Sequence, residues 1–192
     1  MTTDEIGHYF AYCTWLDPRL LKARAPQARV VTLGRARNRR VEFRRSADSE
    51  GDKGWCHLSD TGDAWGRVAY GAVVEMSPPR NARVFAANEA RFLSVYGDDG
   101  AVYDCWTYCL KDPGEPMRVP GYEWDHIMAG IRAWDLPHSY AEELRATYEG
   151  AAACPDAGRA NPVALPGTPT PGPLGVSGAP GVSGVSGEEP AT

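Results

Sequence analysis

The sequence opens MTTDEIGHYFAY, with no basic segment ahead of an apolar stretch. No run anywhere approaches the ~18 apolar residues of a membrane-spanning helix. A cytoplasmic location with no membrane partner is therefore the expectation. An excess of positive charge is lacking too: 20 Lys and Arg stand against 25 Asp and Glu, for a net charge of −5. That balance gives no general reason to bind a polyanion. Six arginines crowd between Arg35 and Arg45, but a solvated strand face accounts for them more simply than nucleic acid does. Cysteine is scarce and odd in number: Cys13, Cys56, Cys105, Cys109 and Cys154. With no secretory leader expected, reduced thiols are anticipated rather than a disulfide framework.

Aromatic residues vanish from position 155 onward, while the last 38 residues hold 8 of the 16 prolines and 8 glycines. Such a segment cannot bury enough apolar surface to offset its ordering entropy. A disordered Pro/Gly/Ser-rich tail is expected over 155–192, following one domain over 1–154. Glycine recurs at every third position from Gly172 to Gly187, which is the collagen period, but five triplets are too few for a triple helix.

Within 1–154 short β-prone segments dominate. Strands are predicted at 8–12, 28–33, 39–44, 55–58, 69–76, 91–96 and 102–110, and Gly97-Asp-Asp-Gly100 marks a hairpin. Asp17-Pro18 reads as the start of a helix, with Asp17 as N-cap and Pro18 in its first turn. Apolar residues at helical spacing predict two further helices, over 122–134 and 140–152, separated by Pro137. The sum is an α+β domain built on a curled, mostly antiparallel sheet, with helices at its flank.

The order of these elements and several local strings resemble the gamma-glutamylcyclotransferase family. Its first strand usually reads close to FAYGSNL, and here Phe10-Ala-Tyr-Cys-Thr-Trp-Leu16 stands in that place. Tyr70 to Met76 looks like the family's central strand, and Gly100 to Tyr108 like a later strand that carries an aromatic pair. Tyr122, Ile127, Gly130, Leu136-Pro137, Tyr140 and Leu144 have the spacing with which the family closes its domain. The likeness runs through nearly all of residues 8 to 145. It implies a β-barrel-like sheet with flanking helices, a small-molecule γ-glutamyl substrate, and no metal or other cofactor. The implied activity is of transferase or lyase type: the α-amine of a γ-glutamyl group attacks its own γ-carbonyl, forming 5-oxoproline and releasing the attached amine. An accessory or binding domain that keeps the fold without the chemistry is the second reading.

The resemblance assigns the substrate cradle to Tyr12, Cys13, Thr14, Trp15 and Leu16, and adds Tyr122 as a pocket hydroxyl. Cys13 replaces the family's loop glycine and Trp15 its asparagine. The family's acid lies in a stretch like Leu-Asp-x-x-Glu-Gly after the central strand, and Phe85-Ala-Ala-Asn-Glu-Ala90 is the nearest match. Glu89, the one acidic residue between Met76 and Tyr96, is thereby the candidate general acid/base. A nucleophilic role for Cys13 is weak because no histidine stands in an obvious partner position. Cys56-His57 with Cys105 and Cys109 lacks the spacing of a zinc finger or ribbon. On a strand, Cys105 and Cys109 simply share a face as small buried residues.

Overall fold

The structure, a computed structural model, describes residues 7–46, 53–60, 67–76 and 87–154. The expected tail over 155–192 lies outside the described residues, as does Trp65. Among the described residues, eight strands and three helices follow in the order β1 (Gly7–Ala11), α1 (Pro18–Arg24), β2 (Arg29–Arg37), β3 (Arg40–Ser46), β4 (Gly54–Ser59), β5 (Val68–Met76), β6 (Asn88–Gly97), β7 (Val102–Leu110), β8 (Pro113–Pro116), α2 (Gly121–Ala133) and α3 (His138–Gly150). A single 3-10 turn, Thr14–Leu16, joins β1 to α1.

Five strands close into a barrel in the order β1-β5-β2-β6-β7, and β4-β3-β8 form a separate sheet. Neighbours in the barrel pair antiparallel, except that β1 and β7 close it in parallel, with Tyr9 opposite Trp106. Side chains alternate between the two faces of each strand. The inward set includes Phe10, Val73 and Val95, each fully buried. Gly34 belongs to the same layer, since a Cβ there would lie 3.4 Å from Val73 Cγ2.

Each predicted strand and helix is present, within a few residues. Two differences have a physical reason. The strand β2 runs on to Arg37, where the exposed Arg35 and Arg37 alternate with the buried Gly34 and Ala36. The strand β8, Pro-Gly-Glu-Pro, is not among the predicted strands; it exists because the edge of β3 pairs with it at Arg44–Pro116 and Ser46–Pro113. The hairpin at 97–100 is as anticipated, with Gly100 at φ 86°. Among the described residues, no helix is long and apolar enough to cross a membrane.

The arginine concentration is dispersed over two sheets, and its members have partners. Arg35 meets Asp98 at 3.4 Å, Arg37 lies over the Tyr96 ring, and Arg39 pairs with Asp60. Arg40 and Arg44 both hold the buried Glu42.

Candidate active site

At the end of β1 the chain leaves the barrel through Tyr12, turns once over Thr14–Leu16, and enters α1. Each end of this turn is tied to a distant element. The Tyr12 hydroxyl donates to the Tyr108 carbonyl at 2.8 Å. Burial, together with the neighbouring Cys109 and Tyr9, holds its pKa well above the ordinary phenol value. At the other end the Trp134 indole donates to the Leu16 carbonyl at 2.8 Å. Leu16 is itself buried.

Asp17 caps α1 as the sequence predicts, accepting from the Arg19 amide at 2.9 Å. Its carboxylate also takes the Arg19 guanidinium and the Nδ1 of His126 at 2.7 Å. Burial alone raises an aspartate's pKa. Here the hydrogen bonds from Arg19 and His126 outweigh it, and the Asp17 carboxyl is held below its ordinary 3.8. The glycine of the family-like spacing also has its reason here. A Cβ on Gly130 would stand 2.6 Å from the Leu16 carbonyl carbon and 2.8 Å from the Asp17 nitrogen. Only a glycine lets α2 lie this close to the turn.

Cys13 corrects an expectation. Its sulfur is bonded to that of Cys56 on β4, with the two Cα atoms 6.3 Å apart, within the normal span of a disulfide. Reduced thiols at these two positions are thus overturned, because the fold brings residues separated by 43 positions together. Bound in this way, Cys13 carries no thiol to act as a nucleophile. Cys105 and Cys109 are buried thiols on one face of β7, as anticipated. Among the described residues, no group of three or more His, Cys, Asp or Glu is placed to hold a metal ion.

Glu89 is on a strand, not in a loop, and the strand register fixes its level in the barrel. Tyr9 lies opposite Trp106, so Tyr12, three residues further along the parallel pair, is level with Cys109. Cys109 in turn lies directly opposite Glu89. Tyr12, Cys109 and Glu89 therefore occupy one end of the barrel on three adjacent strands, and alternation puts them on the inward face with Phe10 and Val95. At about 4.8 Å per strand, the backbones of Tyr12 and Glu89 stand roughly 10 Å apart. The Glu89 carboxylate is 42% exposed and accepts from Arg91 Nε at 2.8 Å.

Nothing in the sequence linked His57, weighed there only as part of a zinc-like group, or Arg91 to Glu89. His57 on β4 is buried, opposite Glu42, and within electrostatic reach of Arg91 and Glu89. Burial, with Arg91, lowers its pKa below the ordinary 6.5. Its Nδ1 has no hydrogen-bond partner among the described residues. Arg91 is two residues along the same face from Glu89.

Trp15 packs edge to face on Tyr9, with ring centroids 5.6 Å apart, and so continues the aromatic group of Tyr9, Trp106 and Tyr108. Thr14 begins the turn, and its carbonyl accepts from the Asp17 amide at 3.1 Å. Tyr122 lies elsewhere, in the first turn of α2, where its hydroxyl donates to Glu123 at 3.2 Å. Gly130 is eight residues on, so Tyr122 stands roughly 12 Å along the helix axis from the contact with the turn.

No protein-family model and no curated protein matches this sequence. Solved structures do match the fold. An uncharacterized protein from Homo sapiens superposes with a TM-score of 0.67 at 18% identity, over 83% of this chain and 95% of that one. A gamma-glutamyl cyclotransferase gives 0.67 at 18%, over 82% and 95%. YkqA from Bacillus subtilis gives 0.61 at 14%, over 78% of this chain and 56% of that one. The chain has the gamma-glutamylcyclotransferase fold.

Proposed function

We propose that this protein is a gamma-glutamylcyclotransferase-type enzyme, which cyclises a γ-glutamyl amine or peptide to 5-oxoproline and releases the amine. The observation that carries the reading is the level shared by Tyr12, Cys109 and Glu89 at one end of the barrel, with the cradle turn leaving from that same end. The reaction needs a base for the α-ammonium, an acid for the departing nitrogen, and donors that hold the substrate bent. Glu89 takes a proton from the α-ammonium and the freed amine attacks the γ-carbonyl; the carbon–nitrogen bond to the leaving amine breaks as Glu89 gives that proton to the leaving nitrogen, and the extra proton left on the ring nitrogen passes through Glu89 to the released amine, which departs as an ammonium. No metal or cofactor enters this scheme.

The cradle would supply the orienting donors. Within the turn, the Leu16 and Asp17 amides bond to the Cys13 and Thr14 carbonyls at 2.9 and 3.1 Å. The amides of Thr14 and Trp15, which come first in the turn, have no partner within it. They are the groups the turn can offer to a carboxylate or a developing oxyanion. Other acids fit the role less well. Glu75 lies opposite His8, four residues back from Tyr12 and so roughly 13 Å along the strand, and it pairs with Arg29. Asp98 is at the hairpin tip, at the far end of β6 from Glu89.

A second reading, a non-catalytic binding or accessory domain, draws on the ion pair that engages Glu89 and on the two replaced cradle residues, Cys13 and Trp15. Release of 5-oxoproline from a panel of γ-glutamyl amines and dipeptides separates the two. The enzyme reading expects release from at least one member. Silence across the panel from folded protein favours the accessory domain. A cytoplasmic location and the division into a domain over 1–154 and a tail over 155–192 belong to the same proposal.

A further inference from the structure

We propose that the Cys13–Cys56 disulfide is a thiol–disulfide exchange site whose redox state sets the rigidity of the cradle turn. The inference rests on the reading of residues 12–16 as a cradle only for its effect on turnover; the exchange itself does not depend on that reading.

Position singles this pair out among the cysteines. Cys13 and Cys56 are both half-buried, whereas Cys105, Cys109 and Cys154 are buried. Exchange requires a thiolate to reach a sulfur, so solvent access selects the bridge over the three thiols. Burial, with Asp104, pushes the Cys105 thiol up to about 12, and burial also raises that of Cys109. Neither is an attacking group at neutral pH.

The bridge also holds the part of the turn that other contacts hold least. Tyr12 is fixed through Tyr108, and Leu16 and Asp17 through Trp134, His126 and Gly130. Between them, the Cys13 and Thr14 carbonyls accept the turn's own hydrogen bonds, and residues 13–15 are tied to other elements through the disulfide and the packing of Trp15 on Tyr9. The bridge ties the turn to β4, which belongs to the second sheet and not to the barrel. Opening it removes a link between two sheets at the mouth of the site, while both ends of the turn stay anchored. The consequence is local loosening, not unfolding.

The partner is a small-molecule thiol or a dithiol protein. One thiolate attacks a sulfur of the bridge, the S–S bond breaks, and the departing cysteine thiolate takes up a proton. A second thiol then attacks the mixed disulfide. The sum is two cysteine thiols and one oxidised partner disulfide. The reverse reaction, with a small-molecule disulfide as oxidant, closes the bridge.

The test uses the full chain poised with a small dithiol or with its disulfide. Alkylation and peptide mapping should find three labelled cysteines and a linked Cys13–Cys56 peptide in the oxidised protein, and five labelled cysteines after reduction. Hydrogen exchange at the Leu16 and Asp17 amides, which bond to the Cys13 and Thr14 carbonyls, should speed up roughly tenfold on reduction. The β6–β7 amides should not change. Cys56→Ser should exchange like the reduced protein in both conditions, and Cys154→Ala should respond like the wild type; reduction of the wild type supplies the same comparison if Cys56→Ser fails to fold. Five labelled cysteines under oxidising conditions, or equal Leu16 and Asp17 exchange in both states, overturns the proposal. If exchange responds but no γ-glutamyl compound is turned over in either state, the redox site stands and the cyclotransferase reading falls. Where turnover is found, reduction should lower kcat/KM roughly tenfold by freeing the positioning turn. Turnover equal in the two states overturns the regulatory claim alone.

Discussion

The two halves of the candidate site are held very differently. The turn over residues 12–17 is tied to β7, β4 and α2 by hydrogen bonds, a disulfide, the buried Asp17–His126 pair and a glycine contact. Glu89 is held by its place in β6 and one ion pair to Arg91, with its carboxylate 42% exposed. The difference teaches that fold and chemistry are separable here. The turn that would orient a substrate is anchored at both ends by groups that close the domain, so its frame is kept by the stability of the fold. The acid contributes little to the fold and could change without unfolding it.

The largest effect that would sharpen this contrast is Glu89→Gln. It keeps the shape and removes the base, so 5-oxoproline release should fall by about 10²–10⁴-fold while circular dichroism and unfolding midpoint stay unchanged. An equally active variant would make Glu89 the wrong acid and erase the contrast.

Gly130→Ala tests the other half. The new methyl meets backbone, not a flexible side chain, and relief requires α2 or the turn to move. The cost should be about 1–3 kcal/mol, seen as a drop of roughly 3–10 °C in the unfolding midpoint. A midpoint equal to that of the wild type would mean that α2 does not brace the turn.

Acid titration gives a smaller effect with a definite sign. The Asp17 pKa in the folded protein lies below its ordinary value, and so does that of Glu42, where burial is outweighed by Arg40 and Arg44. Carboxyls with depressed folded pKa values stabilise the fold above the unfolded value, and that stability is lost as pH falls through the folded value. The unfolding midpoint should therefore drop on acidification below about pH 4. In Asp17→Asn the midpoint should start lower at pH 7 and its acid slope should be shallower. An unchanged slope would remove Asp17 from the account.

The smallest expected effect is truncation after Cys154. A tail of this composition has little apolar surface to pack, so the midpoint should stay within about 4 °C and any activity should be unaltered.

The local parts of the architecture were legible in the sequence. Asp17-Pro18 announced α1, Gly97-Asp-Asp-Gly100 announced the β6–β7 hairpin, and Pro137 parted the last two helices, because capping, turn and ring geometry act over a few residues. The spacing through Gly130 and Leu144 pointed to the fold as a whole. What was missed depends on distant partners. Nothing in Trp-Cys-His marks Cys56 as the partner of Cys13, since their approach is a product of barrel and sheet topology. His126 reads as a polar residue on an amphipathic helix until Asp17 is placed against it. The strand β8 exists only because β3 offers an edge. The candidate acid had a residue number but no neighbourhood until the register set it level with Tyr12.

The most direct test of the central claim, that turn and acid face one substrate, is a crystal structure of the protein with 5-oxoproline bound. The account predicts the ligand at the barrel end, its carboxylate or lactam oxygen on the Thr14 and Trp15 amides, and a Glu89 oxygen within about 3.2 Å of the ring nitrogen or one water away. A ligand bound away from residues 12–16, or bound there with Glu89 turned to solvent beyond the reach of a bridging water, would contradict it.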